Sequence, residues 1–105
     1  MKLVMSFGYA FGKPSPNEFD AVYDARRFRN PYGNPKLRNK DGRDQAVRLA
    51  VLSDPDVMEF ILKVIKLNSN SVAIGCMGGK HRSVAIAEEI ARRTGAQLRH
   101  RDLSR

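Results

Sequence analysis

Ile74-Gly75-Cys76-Met77-Gly78-Gly79-Lys80-His81-Arg82-Ser83 joins a strand-like run to a helix-like one through two glycines. Before it, Ser71 to Gly75 is an apolar run of strand length. After it, Val84, Ile86, Ala87, Ile90 and Ala91 recur at helical spacing, and Gly95 stands where a C′ glycine closes a helix, behind Arg92 and Arg93. A strand that passes through a glycine turn into a helix starting near His81 or Arg82 leaves the first helical N–H groups free and aimed at one place. Such a terminus carries partial positive charge and takes anions. Gly78 and Gly79 allow close backbone approach and positive φ. Arg82 offers a planar fork, Lys80 a mobile point charge, and Ser83 a hydroxyl for the anion or for the helix cap. The stretch reads as a phosphate site.

Working outward, Lys2 to Gly8 is a first strand, and Tyr9 to Phe19 is a loop carrying Gly12, Pro14, Pro16 and Asn17. Asp20 to Ala25 is a second short strand. Arg26 to Asp44 is a long basic loop with turn chemistry at Asn30-Pro31-Tyr32-Gly33-Asn34-Pro35 and at Asp41-Gly42. Val47 and Val51 mark a helix over Asp44 to Leu52. Ser53-Asp54-Pro55 starts the next, which runs to about Leu67 on the stripe Val57, Phe60, Ile61, Val64 and Ile65; Asn68-Ser69-Asn70 ends it. A final strand is predicted over Gln97 to Arg101. Ser71 to Arg101 is then a βαβ unit, which needs a parallel strand pair. The prediction is one small α/β domain, a mixed or parallel sheet with flanking helices. Ligands of open α/β sheets bind at the C-terminal ends of the strands, where Cys76 to Arg82 and Arg26 fall.

The 105 residues fit a single domain, and 42% hydrophobic content is ordinary for a globular one. No apolar run reaches the ~18 residues of a membrane span. The start, Met1 to Phe7, reads as a strand rather than a signal peptide. The lone Cys76 excludes an internal disulfide and fits a reducing, cytoplasmic compartment; with only two histidines the chain holds no zinc ligand set, and neither metal nor cofactor is expected. A net charge of +8 favours polyanions, RNA first. Arg26, Arg27, Arg29, Lys36, Arg38, Lys40, Arg43 and Arg48 cluster in sequence, with Phe28 and Tyr32 between them. Cations track phosphates and aromatics stack on unpaired bases, while Phe28 packed inward over a solvated loop is the plainer alternative. His81 either donates to phosphate, pairs with Asp24 or is satisfied locally. His100, in Arg99-His100-Arg101-Asp102, reads as an exposed strand-end residue.

Cys76 to Arg82 also has the spacing Cys-x5-Arg, with Ser83 after it. That resembles the signature of cysteine-dependent phosphatases, in which a thiolate attacks phosphorus and the arginine clamps the transferring group. Gly75 stands where those families usually carry His, and Asp24, Asp41 and Asp44 are general-acid candidates by location only. The alternative is a small buried residue at a strand end.

The residues Ser6-Phe7-Gly8, Asp24, Arg26, Phe28, Asn30-Pro31, Leu37-Arg38, Gly42, Asp44, Gly75 to Ser83 and Arg99 to Leu103 together carry a specific likeness. The chain resembles the C-terminal domain of the RNase adapter protein RapZ family, as a standalone copy without that family's P-loop domain. The resemblance implies a fold like a phosphofructokinase subdomain. It also implies a non-catalytic regulatory module, a homo-oligomer that binds a phosphorylated amino sugar and small RNA. A protein that competes with a full-length family member is a further alternative. Carried over, the ligand residues are Asp24, Asn30, Cys76, Gly78, Gly79, His81, Arg82 and Ser83; Met77 and Lys80 complete the same turn. RNA candidates are Arg26, Arg27, Arg29, Lys36, Arg38, Lys40, Arg99, His100 and Arg101. The chain departs from the family at Met77, where Thr is common, and at Ala10 and Phe11, where a basic pair is common. The basic insertion before the last strand is shortened to Thr94-Gly95-Ala96-Gln97.

Overall fold

Val4, Met5 and Phe7 in one strand and Val72, Ala73 and Ile74 in another are almost wholly shielded from water. That double-sided burial belongs to the middle of a parallel sheet covered on both faces. A computed structural model describing residues 1–105 has four parallel strands: β1 Leu3–Gly8, β2 Ala21–Asp24, β3 Ser71–Cys76 and β4 Gln97–His100. Their spatial order is β2-β3-β1-β4, with Val4 beside Val72 and Gly8 beside Cys76 in the central pair. The sheet is therefore parallel throughout, which decides between the two predicted alternatives.

Three helices, α1 Gln45–Leu52, α2 Pro55–Leu67 and α3 Arg82–Thr94, pack over one face. Their apolar stripes (Val47, Ile61, Val64, Ile86, Ile90) meet Val4, Val72 and Ile74 in the main core. Each such side chain removed from water contributes roughly 1.5–3 kcal/mol. The opposite face carries a smaller cluster of Met5, Phe7 and Ala73, closed by Phe19 from the loop after β1. Asp44 and Asp54 cap α1 and α2, each carboxylate accepting from the N–H two residues on at 2.9 Å. Asn68 and Gly95 close α2 and α3 in the left-handed conformation. Two predicted loops contain 3₁₀ turns, Tyr9–Phe11 and Pro31–Gly33; in the second, Asn30 Oδ1 accepts from the Tyr32 N–H at 3.0 Å.

Two charged side chains hold the elements together from inside. Asp102 is fully buried and accepts the Gly8 N–H at 2.7 Å, which fastens the segment after β4 to the end of β1. Burial works against its ionisation, but bonds from Arg101, the Gly8 N–H and Arg105 outweigh it and lower the carboxyl below its ordinary range. Arg101 also donates to the Gly8 and Gly12 carbonyls, so it is an internal brace. Against the expectation of an exposed strand end, His100 is largely buried. Its Nδ1 lies 2.6 Å from Ser6 Oγ and its Nε2 3.3 Å from Glu88. The helix side of β4 lies under α3, and the sequence pattern of so short a strand does not reveal that cover.

Glu89 of α3 is 4% exposed and sits among Arg92, Arg93 and, from α1, Arg48. The Arg92 hydrogen bonds, then those of Arg93, hold its carboxyl at about 2 against burial. A depressed folded pKa adds stability above the unfolded value near 4.5, and that stability is lost as pH falls toward 2. Its full size is at most about 3 kcal/mol. Glu89→Gln is expected to lower the urea midpoint at pH 7. It is also expected to flatten the fall in stability between pH 4.5 and pH 2; an unchanged acid limb would show that the three arginines do not hold this carboxylate.

Candidate anion-binding site

β3 stops at Cys76 and α3 starts at Arg82, so five residues make the turn. Its carbonyls face neighbouring segments. Met77 accepts from the Ala10 N–H at 3.0 Å, Lys80 from the Gly42 N–H at 2.6 Å, and His81 from the Ala85 N–H at 3.0 Å. Its donors do the opposite: the backbone N–H groups of Met77 through Val84 bond to nothing within the protein. His81 holds the N-cap position with φ −113° and ψ −80°, and its side chain makes no capping bond. α1 and α2 have aspartate caps; α3 has none. Eight free donors at the positive end of a 13-residue helix are the electrostatic core of the site.

The turn stays in this shape through backbone contact. Gly79 takes φ 71°, and a Cβ there would lie 2.6 Å from the Gly8 nitrogen. At Gly78 a Cβ would meet nothing within 4 Å. Gly79 is thus the packing glycine, buried against β1, while Gly78 borders open space.

That space is a cavity of about 420 Å³, within the range of small-molecule sites. Asn30, Cys76, Met77, Gly78, Lys80, His81 and Arg82 line it, so the structure gathers seven of the ten predicted ligand residues. Asp24, Gly79 and Ser83 do not line it. Asp24 is held in a bidentate pair by Arg26, at 2.7 Å to Nη2, and that pairing lowers its carboxyl below the ordinary range; it does not bond His81. Ser83 is fully buried, and its hydroxyl accepts from the Cys76 thiol at 3.1 Å; it neither caps α3 nor reaches the cavity.

Arg82 is only 5% exposed. Its Nη1 donates to the carbonyls of Arg26 at 2.7 Å and Phe28 at 3.0 Å, while its Nε is buried with no partner. The predicted phosphate fork therefore holds the basic loop through Nη1, and its Nε is sealed from solvent. His81 Nε2 is likewise buried and unpaired. Lys80 Nζ reaches the Arg105 carbonyl at 2.7 Å. No Asp or Glu side chain lines the cavity.

Sequence reasoning missed five lining residues as ligand contacts: Ala10, Phe11, Tyr32, Arg38 and Arg105. Arg38 is placed by its Nε on the Tyr32 carbonyl at 2.8 Å and lies over the Tyr32 ring at 5.1 Å. The Tyr32 turn was legible as a turn, but which wall it would form depends on the path of a 19-residue loop. Among the RNA candidates, Arg27, Arg29, Lys36, Arg38, Lys40 and Arg99 are exposed. Arg26 is tied to Asp24 and lies over Tyr9 at 3.9 Å. His100 and Arg101 are turned inward. Phe28 is buried against Phe60 at 5.4 Å and is closed to a stacked base.

Over residues 2–104 the chain matches the family model of the RapZ C-terminal domain. A nucleotide-binding protein of Rubrobacter xylanophilus is 43% identical over 122 residues, covering 95% of this chain and 39% of that protein. A nucleotide-binding protein of Lachnoclostridium phytofermentans is 38% identical, with 97% of this chain and 41% of that protein covered. One of Aeromonas hydrophila is 41% identical, with 95% and 40% covered. The chain spans about 40% of the length of these relatives.

The two turn glycines are expected to differ under substitution. Gly79→Ala should cost about 2 kcal/mol or more in chemical denaturation, from positive φ and the approach to Gly8. Gly78→Ala should stay within about 0.5 kcal/mol of the parent. Equal costs would contradict the assignment of Gly79 as the packing position.

Proposed function

The chain belongs to the RapZ C-terminal domain family, and we propose that it is a non-catalytic regulatory module that holds a phosphorylated small molecule by its phosphate. The observation that carries this is the row of unpartnered N–H groups from Met77 to Val84 beside a cavity without acidic side chains. A phosphate dianion placed there accepts several N–H bonds and meets Lys80 and Arg82 in a setting where charge-assisted bonds are strong. The family resemblance makes the phosphosugar type the first class to titrate. The printed name of the relatives, nucleotide-binding protein, describes proteins of which this chain matches only about 40%.

RNA is the second proposed partner, held through the exposed cations of the loop and of β4, in a homo-oligomer within a reducing compartment. No helix is long and apolar enough to cross a membrane. RNA bound this way is read by backbone and shape, because Phe28 is inside and only Tyr32 among the loop aromatics is exposed.

Cysteine-dependent phosphatase is a second reading. The Cys76 thiol within 3.1 Å of the Ser83 hydroxyl favours it, because a hydroxyl at that distance can stabilise a thiolate. Commitment of Arg82 Nη1 to two carbonyls weighs against it. Turnover of p-nitrophenyl phosphate that vanishes in Cys76→Ser would favour this reading over the first.

In a titration with inorganic phosphate followed by amide nuclear magnetic resonance, the Met77 to Val84 signals are expected to move most. Lys80→Glu is expected to weaken binding about tenfold, the order of one charge-assisted contact. Stationary turn amides at saturating phosphate would end the proposal. RNA affinity is expected to fall linearly on a log–log plot against salt, with a slope of about −0.7 per phosphate contacted; a flat plot would remove RNA from the partners.

A further inference from the structure

Asp102 and Glu89 are the two buried carboxylates of the chain. Glu89 is paired with arginines alone. Asp102 has a different set of partners: Arg101 Nη2 at 2.8 Å, Arg105 Nε at 2.8 Å and one main-chain donor, the Gly8 N–H at 2.7 Å. β4 runs beside β1 only as far as Ser6 opposite His100, so Gly8 lies past the last paired residues on that side. Asp102 Oδ2 takes the place of the ladder carbonyl that β4 does not supply there.

Gly8 is also where β1 meets the turn between β3 and α3. It is the register partner of Cys76. A Cβ on Gly8 would lie 2.6 Å from the Gly78 carbonyl carbon, and a Cβ on Gly79 would lie 2.6 Å from the Gly8 nitrogen. The nitrogen that Asp102 holds is thus the atom on which Gly79 rests. Two residues on, the Ala10 N–H donates to the Met77 carbonyl at 3.0 Å. The stretch from Gly8 to Ala10 therefore supports the turn at two points, and Asp102 fixes where that stretch begins. Asp102 itself does not line the cavity.

We propose that Asp102 is a positioning residue of the anion site: by holding the Gly8 N–H it seats the turn on the end of β1 and aims the free N–H groups of Met77 to Val84. This rests on the phosphate site proposed above and names what keeps its donors in place. Affinity at a preorganised site falls when the donors must be ordered at the moment of binding. A carboxylate acting only through long-range charge has the opposite effect, because removing a negative charge strengthens the attraction for an anion. The two roles therefore move phosphate affinity in opposite directions.

Titration of the full chain with inorganic phosphate tests it in the parent, in Asp102→Asn and in Glu89→Gln, with folding checked by thermal melts. Both substitutions remove one buried negative charge with little change of shape, and both are expected to lower stability. In Asp102→Asn the neutral amide accepts more weakly and sets an NH2 group among arginine donors. It is expected to weaken phosphate about tenfold, the order of one hydrogen bond. Glu89→Gln is expected to leave phosphate affinity unchanged or slightly raised. Should Asp102→Asn not fold, hydrogen exchange of the Gly8 N–H in the parent takes its place and is expected to slow at saturating phosphate. Phosphate affinity that is kept in Asp102→Asn, an equal loss in both variants, or a Gly8 exchange rate indifferent to phosphate overturns the positioning role and leaves the phosphate site standing. Absence of phosphate binding by the parent overturns both.

Discussion

The site depends on which way the peptide groups point between β3 and α3. Carbonyls of Met77, Lys80 and His81 are bonded toward Ala10, Gly42 and Ala85, so the N–H ends of the surrounding peptides face the other way. That orientation is locked because the turn lies in backbone contact with its neighbours. A Cβ at Gly79 would strike Gly8, and one at Gly42 would lie 2.5 Å from the His81 carbonyl oxygen. Gly8 is in turn held by buried Asp102 through its own N–H. The ends of β1 and β4, the Gly42 segment and the start of α3 thus clamp one loop. An anion entering the site meets donors whose direction is already set, which is the source of affinity in a preorganised site.

Net charge overstates what this surface offers a polyanion. Arg82, Arg101 and Arg105 brace backbone or the buried Asp102, and Arg48, Arg92 and Arg93 surround Glu89. Arg26 and Arg43 each have an aspartate two residues away. These pairs lower the acids and leave fewer cations with an unmatched field. Of the cations without an acidic partner, Arg27, Arg29, Lys36, Arg38 and Lys40 lie along one loop, and Lys2, Lys13, Lys66, Lys80 and Arg99 lie outside it.

Element order was legible because its signals are local. The stripes of α2 and α3, the Asp54-Pro55 start and the Gly95 stop depend on residues within one or two turns, and the strands and helices fall within a residue or two of their expected bounds. The turn between β3 and α3 was legible for the same reason, since strand, glycines and helix are consecutive. Side-chain partners were not. Arg82 pairs with carbonyls more than 50 residues away, His100 with Ser6 across 94, and Ser83 turns to Cys76 rather than to the anion. Asp24 chose the arginine two residues on, a local pairing that a search for ligands passed over. Phe11 and Tyr32 look like ordinary loop aromatics until the fold places them on one wall.

Arg82 ties the start of α3 to the basic loop. Its Nη1 fixes the carbonyls of Arg26 and Phe28, which set where the basic loop leaves β2. Its Nε is buried without a hydrogen-bond partner. The residue that in a phosphatase reading would clamp a transferring group is here partly structural. In the proposed site the backbone N–H groups are then the main donors, and no side-chain substitution removes them.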